Sequence, residues 1–311
     1  MADGLQGGSA GAIHVGQPTR FGDRSTFGLT GVSHVFDARI VAIRHDLADI
    51  AVAGQYFAPH YAAPMMRACT AASTPIRHRN STDADAVSTL LYGEGFALLD
   101  VTGDWAWGYA AADHVVGYVR ASTLGNPIAP THRVASGGAA LRYAPSNESA
   151  LVLALPAHAQ LMGSVAGDWV QTAAGYVAAS DLTAADAEGS DAAALAAHFD
   201  GVPHAMGGRT TDGVDDAALV QLCAASVGVD LPRFVDLQID ALAVDLASGD
   251  ELARSDIVFF PDHVGIMADA ETVWHASRHW AKVVNEPLAD IAARIAAKGF
   301  DTPVVARKRL R

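Results

Sequence analysis

The sequence predicts an α+β chain in which two small, related β-barrels precede a domain of mixed helix and strand. Three observations predict it. Gly103-Asp104-Trp105 recurs as Gly167-Asp168-Trp169, and Gly117-Tyr118-Val119 recurs as Gly175-Tyr176-Val177. The spacing of about 60 residues is too long for a solenoid unit and suits two small domains. Beyond residue 191, a segment of helical period is followed by three strand-like runs. Half of the 311 residues are apolar and only 18% are charged, with a mean hydropathy of +0.19. That composition excludes a disordered chain.

Each repeat reads as short strands. Phe96–Leu99, Trp105–Trp107 and Val115–Val119 are aromatic and β-branched and are divided by Gly and Asp, as strands of a small barrel are. Leu151–Leu155 forms the equivalent run in the second copy and stops at Pro156. Trp105 and Trp169 are expected to be partly buried, as aromatics of small barrels are. Between the two landmarks the first copy is longer, through the segment Gly108–His114. The expected boundaries are an N-terminal segment at 1–65, barrels at 66–125 and 128–183, and the mixed domain at 192–311. Met1–Val15 reads as a flexible leader without the basic start or apolar core of a secretory signal.

In the last domain, Leu219, Val220, Leu222, Cys223 and Val227 recur at helical spacing after Asp215, which sits where an N-cap would. Ile257–Phe260, His263–Met267 and Thr272–His275 read as antiparallel strands with a turn at Asp269, and Leu288–Lys298 as an amphipathic helix. Arg307, Lys308, Arg309 and Arg311 read as a solvated basic end.

Net charge is −13. An acidic chain repels phosphate backbones, so no nucleic-acid partner is expected. No apolar run approaches the roughly 20 residues that span a bilayer, and no membrane association is expected. Two cysteines, Cys69 and Cys223, can build neither a disulfide framework nor a Cys-rich zinc site, and the expected location is the cytoplasm. His263 and His275 lie six residues either side of Asp269. Hairpin pairing would set them nearly opposite each other on one face. A histidine on a strand is by itself more often structural than functional.

Gly207-Gly208-Arg209, Asp212-Gly213-Val214-Asp215, Leu219-Val220-Gln221, Asp256–Phe260, His263–Met267 and His275-Ala276 resemble the papain-like catalytic domain of the NlpC-type cell-wall cysteine peptidases. The upstream repeats resemble the two bacterial SH3-like domains of the members that process murein tripeptides. The resemblance covers about residues 39 to 307. It implies a papain-like domain behind two SH3-like barrels, and cleavage of γ-D-glutamyl-diamino acid bonds in peptides with a free N-terminal L-Ala. No cofactor is implied.

The departures redirect that expectation. The family's nucleophilic Cys is replaced by Asp216, and the Ser after it by Ala217. In the family's Tyr-x-Trp-Gly-Gly run, His204 stands for the Tyr and Met206 for the Trp, and a first-repeat Tyr is Val115. A thiol at a helix N-terminus beside a His is held as a reactive thiolate. A carboxylate carries the charge with far less nucleophilicity. Cys223, seven residues on, lies roughly 10 Å along the helix and cannot replace it. Glu94 and Asp215 are retained, and the resemblance gives them the peptide's amine. The resulting site consists of Asp216, His263 and His275 at the catalytic positions, with Glu94, Asp215, Tyr92 and His204 binding substrate.

Three readings of Asp216 stay open. It forms an ion pair with His263, which would raise the His pKa above about 6.5; it joins His263 and His275, with or without His204, around a metal; or it is a hydrogen-bonded remnant. The expected function is a degenerate peptidase homologue, a pseudoenzyme that binds a murein-derived peptide or another ligand. The alternatives are a metal-assisted hydrolase and a structural or oligomer-forming module.

Overall fold

Short apolar runs punctuated by Gly and Asp become strands throughout residues 47–184. The structure, a computed structural model, describes residues 35–310, and the described residues from Phe36 onward group into one compact unit. The reading of Met1–Val15 as a leader lies outside the described residues, as does Arg311. Two short parallel strands come first, β1 (Leu47–Asp49) and β2 (His60–Ala62).

The first barrel region holds β3 (Met65–Cys69), β4 (Ser73–Arg77), β5 (Ala86–Leu91), β6 (Gly95–Thr102), β7 (Trp105–Ala110), β8 (Val116–Arg120) and β9 (Leu124–Gly125). They form one sheet in the order β5-β4-β8-β7-β6-β3-β9, closed around Ile76, Leu90, Phe96, Val115 and Val119. The second region holds β10 (His132–Val134), β11 (Ala139–Arg142), β12 (Leu151–Leu155), β13 (Gln160–Leu161), β14 (Gly163–Ala166), β15 (Trp169–Thr172), β16 (Gly175–Ala178) and β17 (Leu182–Ala184). Its larger sheet runs β12-β11-β16-β15-β14, and β13-β10-β17 form a smaller one.

The larger sheet repeats the strand order β5-β4-β8-β7-β6 position for position. Both Gly-Asp turns are two-residue hairpin loops, closed by Thr102 opposite Trp105 and by Ala166 opposite Trp169. Gly103 and Gly167 take φ of 58° and 64°, which a side chain would resist. Asp104 and Asp168 accept equivalent bonds, from Ala121 N–H at 2.9 Å and Ala179 N–H at 2.8 Å. Trp105 and Trp169 are both half-buried, as expected, and the Arg120 guanidinium lies over the Trp105 ring.

After the linker, Asp191 caps α1 (Ala192–Ala197). β18 (Arg209–Thr210) and β19 (Gly213–Val214) form a hairpin leading into α2 (Asp216–Ser226), and α3 (Val235–Ala241) follows. Asp215 is the N-cap of α2, accepting from Ala218 N–H at 2.9 Å. Every residue of α2 from Asp216 to Ala224 is buried, because the helix is covered on all sides rather than on one stripe. It packs on a six-stranded antiparallel sheet of β20 (Val244–Asp245), β21 (Ile257–Phe259), β22 (Val264–Met267), β23 (Thr272–Ser277), β24 (Lys282–Pro287) and β25 (Ala306–Arg309), in the order β20-β25-β21-β22-β23-β24.

Period-two alternation divides the sheet's faces. Ile257, Phe259, Val264 and Ile266 join the α2 core, and Val258, Phe260 and Met267 meet Ile291 and Ile295 of α4 (Leu288–Ala297). The basic end departs from expectation. Ala306–Arg309 is a strand, Lys308 is buried and donates to Leu242 O at 2.9 Å, and Arg309 forks onto Asp256 at 3.0 Å. Residues fixed by partners far away in sequence are invisible to a local charge-run reading. Among the described residues, no helix is long and apolar enough to cross a membrane.

Candidate functional site

The site lies where α2 begins under β22 and β23. Ile266 faces Trp274 and Met267 faces Val273, so continuing this register sets His275 opposite Gly265 and His263 opposite Ser277. The two histidines are therefore diagonal neighbours, two residues away from the direct pairing expected, and still on one face. Gly265 permits this approach: a Cβ there would meet Val273 Cγ1 at 2.4 Å and His275 Cβ at 3.2 Å. The rings of His263 and His275 lie 5.0 Å apart at 30°, and His263 stacks on Phe260 at 4.3 Å.

Asp216 does not pair with His263. Its Oδ2 accepts the backbone N–H of Val264 at 3.1 Å, while His263 Nδ1 bonds to Asp262 at 2.7 Å. Asp216 is only 4% exposed. Burial, and then the adjacent Asp215 charge, push its carboxyl up to about 6. Burial lowers His263 despite Asp262. Both shifts run opposite to those the ion-pair reading requires.

His275 is almost fully buried and bonds through Nε2 to Glu286 at 2.7 Å. Burial and then His263 depress it to about 4. Burial raises Glu286, but Arg294, Trp280 and His275 more than offset this and hold it below its usual range. His263 Nε2 and His275 Nδ1 are buried without a partner. Burial thus favours the neutral form of both rings, and the cavity beside them, lined by Asp262, Ser277 and Arg278, is only about 30 Å³, the space of a water or two.

The two retained carboxylates are occupied. Glu94 receives a bidentate bond from Arg209 at 2.8 and 3.0 Å and the Leu91 N–H at 2.8 Å. Asp215 Oδ2 accepts from Gly207 N–H at 2.8 Å and from Arg233, which is itself buried. Tyr92 packs against the Val134–Leu141–Leu161 cluster of the second β region. Val115 is buried in the core of the first. His204 lies closer: the bridge to Val214 sets it beside Asp215, its Nε2 is buried and unpartnered, and burial and then Arg278 lower its pKa. Arg278 reaches Met206 Sδ at 3.7 Å, and Met206 is exposed.

Neither thiol is near this chemistry. Cys223 lies fully buried in the α2 core, where burial raises it strongly, and burial drives Cys69, in the first β region, up to about 12. Among the described residues, no group of three or more His, Cys, Asp or Glu is placed to hold a metal. Asp216, His263 and His275 do not converge as a metal reading needs. Among the described residues, what remains is a pair of buried imidazoles beside a buried carboxylate, with no thiol at the head of α2. Sequence reasoning had not found the roles of Arg209, Arg233, Asp262 and Glu286. The only available signals were Arg209 directly after Gly207-Gly208 and Arg233 after Pro232.

Two family models match. Residues 76–124 match the bacterial dipeptidyl-peptidase Sh3 domain, and residues 201–293 match the NlpC/P60 family. The chain carries an NlpC/P60 domain behind a bacterial SH3 domain. An NlpC/P60 family protein from Bacillus cereus shares 15% identity at a TM-score of 0.67, over 79% of this chain and 99% of that one. An NlpC/P60 endopeptidase from Photobacterium damselae subsp. piscicida shares 11% identity at a TM-score of 0.55, over 80% of this chain and 73% of that one. At these identities the likeness is one of fold. No curated protein sequence matches the chain. The NlpC/P60 match spans the α2 N-terminus, both histidines and Glu286.

Proposed function

We propose that this chain is a non-hydrolytic homologue of the NlpC-type murein peptidases, which keeps the framework of the fold and has lost its nucleophile. One observation carries the reading. The position that begins α2 holds a carboxylate, Asp216, tied to Val264 N–H at 3.1 Å and buried, with no thiol near it. A neutral imidazole can accept a proton, but at the head of α2 it meets a carboxylate and no thiol from which to take one. The ligand we assign is a murein-derived peptide. Glu94 and Asp215 are already engaged by Arg209 and Arg233, so the peptide's amine has no free carboxylate at those positions. The exposed rim of Met206 and Arg278 offers an apolar contact and a cation for the peptide's own carboxylates.

The same-order strands of residues 132–184 support reading 128–183 as a second SH3-like domain. A second functional reading, a structural module, is favoured by the closure of the site, with His275 1% exposed. Calorimetric titration with L-Ala-γ-D-Glu-diamino acid peptide separates the two. Binding that weakens in Arg278→Ala supports the peptide reading, and no binding supports the structural one. Peptide turnover that stops on thiol alkylation would overturn both.

A further inference from the structure

The junction of the two β regions and the papain-like domain holds a second cavity of about 380 Å³, within the range that holds small molecules. Carboxylates dominate its wall. Glu94, Asp113, Asp186, Glu188 and Asp230 line it, against two guanidiniums, Arg133 and Arg209. Arg209 is neutralised by Glu94 at 2.8 Å. Setting one further carboxylate against Arg133 still leaves three negative charges in excess. Burial, then Arg133 and Arg209, depress His158 to about 3, so its imidazole adds no positive charge at neutral pH. Among the described residues, no basic side chain lies within ion-pair distance of Asp113, Asp186 or Asp230.

One buried atom in that wall asks for a donor. Gln221 is 6% exposed. Its Nε2 donates to Asp113 Oδ2 and to Leu231 O, both at 3.0 Å, which fixes the orientation of the amide. Its Oε1 is left buried and unpartnered. Buried acceptors are rarely left bare, and one that is calls for a partner. Arg209 Nε is also unpartnered. It is a donor on a guanidinium already neutralised, so a neutral acceptor such as water suffices for it. The negative charge is spread rather than gathered: among the described residues, no group of three or more His, Cys, Asp or Glu is placed to hold a metal. Leu90, Ala110, Leu222 and Leu231 supply apolar stretches of the same wall. Spread carboxylates with apolar surface match a methylene chain that ends in cations, and not a point charge.

We propose that this cavity binds a short aliphatic diamine, one ammonium donating to Gln221 Oε1 beside Asp113 and the other facing the exposed rim carboxylates Asp186 and Asp230. A free diamine and the side-chain ammonium of a peptide's diamino acid share this chemistry. The cavity has Glu94 in common with the residues assigned to the peptide, but the proposal does not rest on that reading. Calorimetric titration of the full chain with 1,5-diaminopentane, pentylamine and 1,5-pentanediol tests it. The expected result is saturable binding of the diamine at one site, weaker binding of the monoamine and none of the diol. Hydrogen bonds to a charged group are strong enough for Gln221→Leu to weaken binding about tenfold. If that variant does not fold, Ala225→Leu, which narrows the cavity from α2, and Asp186→Asn/Asp230→Asn at the rim are each expected to weaken it. Repeating the titration with L-Ala-γ-D-Glu-diamino acid peptide present separates the two sources. Competition assigns the site to the peptide's diamino acid, and independent binding assigns it to a free diamine. No saturable diamine binding, a diol that binds as tightly, or affinity that survives the cavity and rim variants would overturn the proposal. Peptide binding that persists in that case leaves the reading of the cleft intact.

Discussion

The carboxylate of Asp216 accepts the backbone N–H of Val264 at 3.1 Å, one residue beyond His263, whose own partner is Asp262. This bond makes Asp216 part of the helix-to-sheet junction and leaves the imidazole without a thiol to activate at the head of α2. Its electrostatic consequences can be measured.

Asp216 titrates against stability as pH rises. Its folded pKa moves from an ordinary 3.8 up to about 6. The stability tied to its protonated form is therefore complete below the unfolded pKa and is lost as pH rises through the folded one. Two units correspond to roughly 3 kcal/mol. Asp216→Asn, which cannot ionise, should gain stability relative to the parent between pH 4 and 7, as read from urea midpoints. A constant difference across that range contradicts the shift. An ion pair with His263 would have given the opposite slope.

His275 acts in the other direction. Its folded value of about 4 lies below the ordinary 6.5. Its contribution is therefore present above the unfolded pKa and lost as pH falls through the folded one, again by roughly 3 kcal/mol. His275→Gln should lower stability at pH 7 but flatten the acid limb between pH 6.5 and 4. An unchanged acid limb would place the ring in a solvated environment.

The Glu94–Arg209 pair predicts strong coupling. Removing one partner of a buried pair leaves a stranded charge, at a cost of about 3–5 kcal/mol. Arg209→Met should lose that much, and the Glu94→Gln/Arg209→Met double variant should recover most of it. A double variant no more stable than the single one contradicts the burial of the pair.

Cys69 and Cys223 should resist alkylation in the folded protein and react only on unfolding, since burial holds both in the thiol form. Mass spectrometry after iodoacetamide treatment reads this directly. Rapid native-state modification of either would reopen the search for a nucleophile.

The scaffold was legible because it is written in local pattern. The Gly-Asp-Trp and Gly-Tyr-Val repeats marked equivalent hairpins, and Asp215 marked the start of α2. The strand of Leu151–Leu155 matches its sequence run residue for residue. The site was legible only in its residue types. Asp216, His263 and His275 come to one place, but their partners were not readable. Arg209 meets Glu94 across 115 residues and Arg233 meets Asp215 across 18, and Glu286 lies on a strand with no sequence mark of its role. The pairing of Ala306–Arg309 with Ile257–Phe259 was missed for the same reason. Long-range partners fix which charges are free, and a single sequence does not show them.

The most direct test of the central claim is the hydrolysis assay itself. The full chain is incubated with L-Ala-γ-D-Glu-diamino acid peptide and the products are followed by mass spectrometry, with and without a thiol alkylating agent and in Asp216→Asn. The account predicts no cleavage above the protein-free control under any of these conditions. Cleavage that disappears on alkylation or in Asp216→Asn would contradict it.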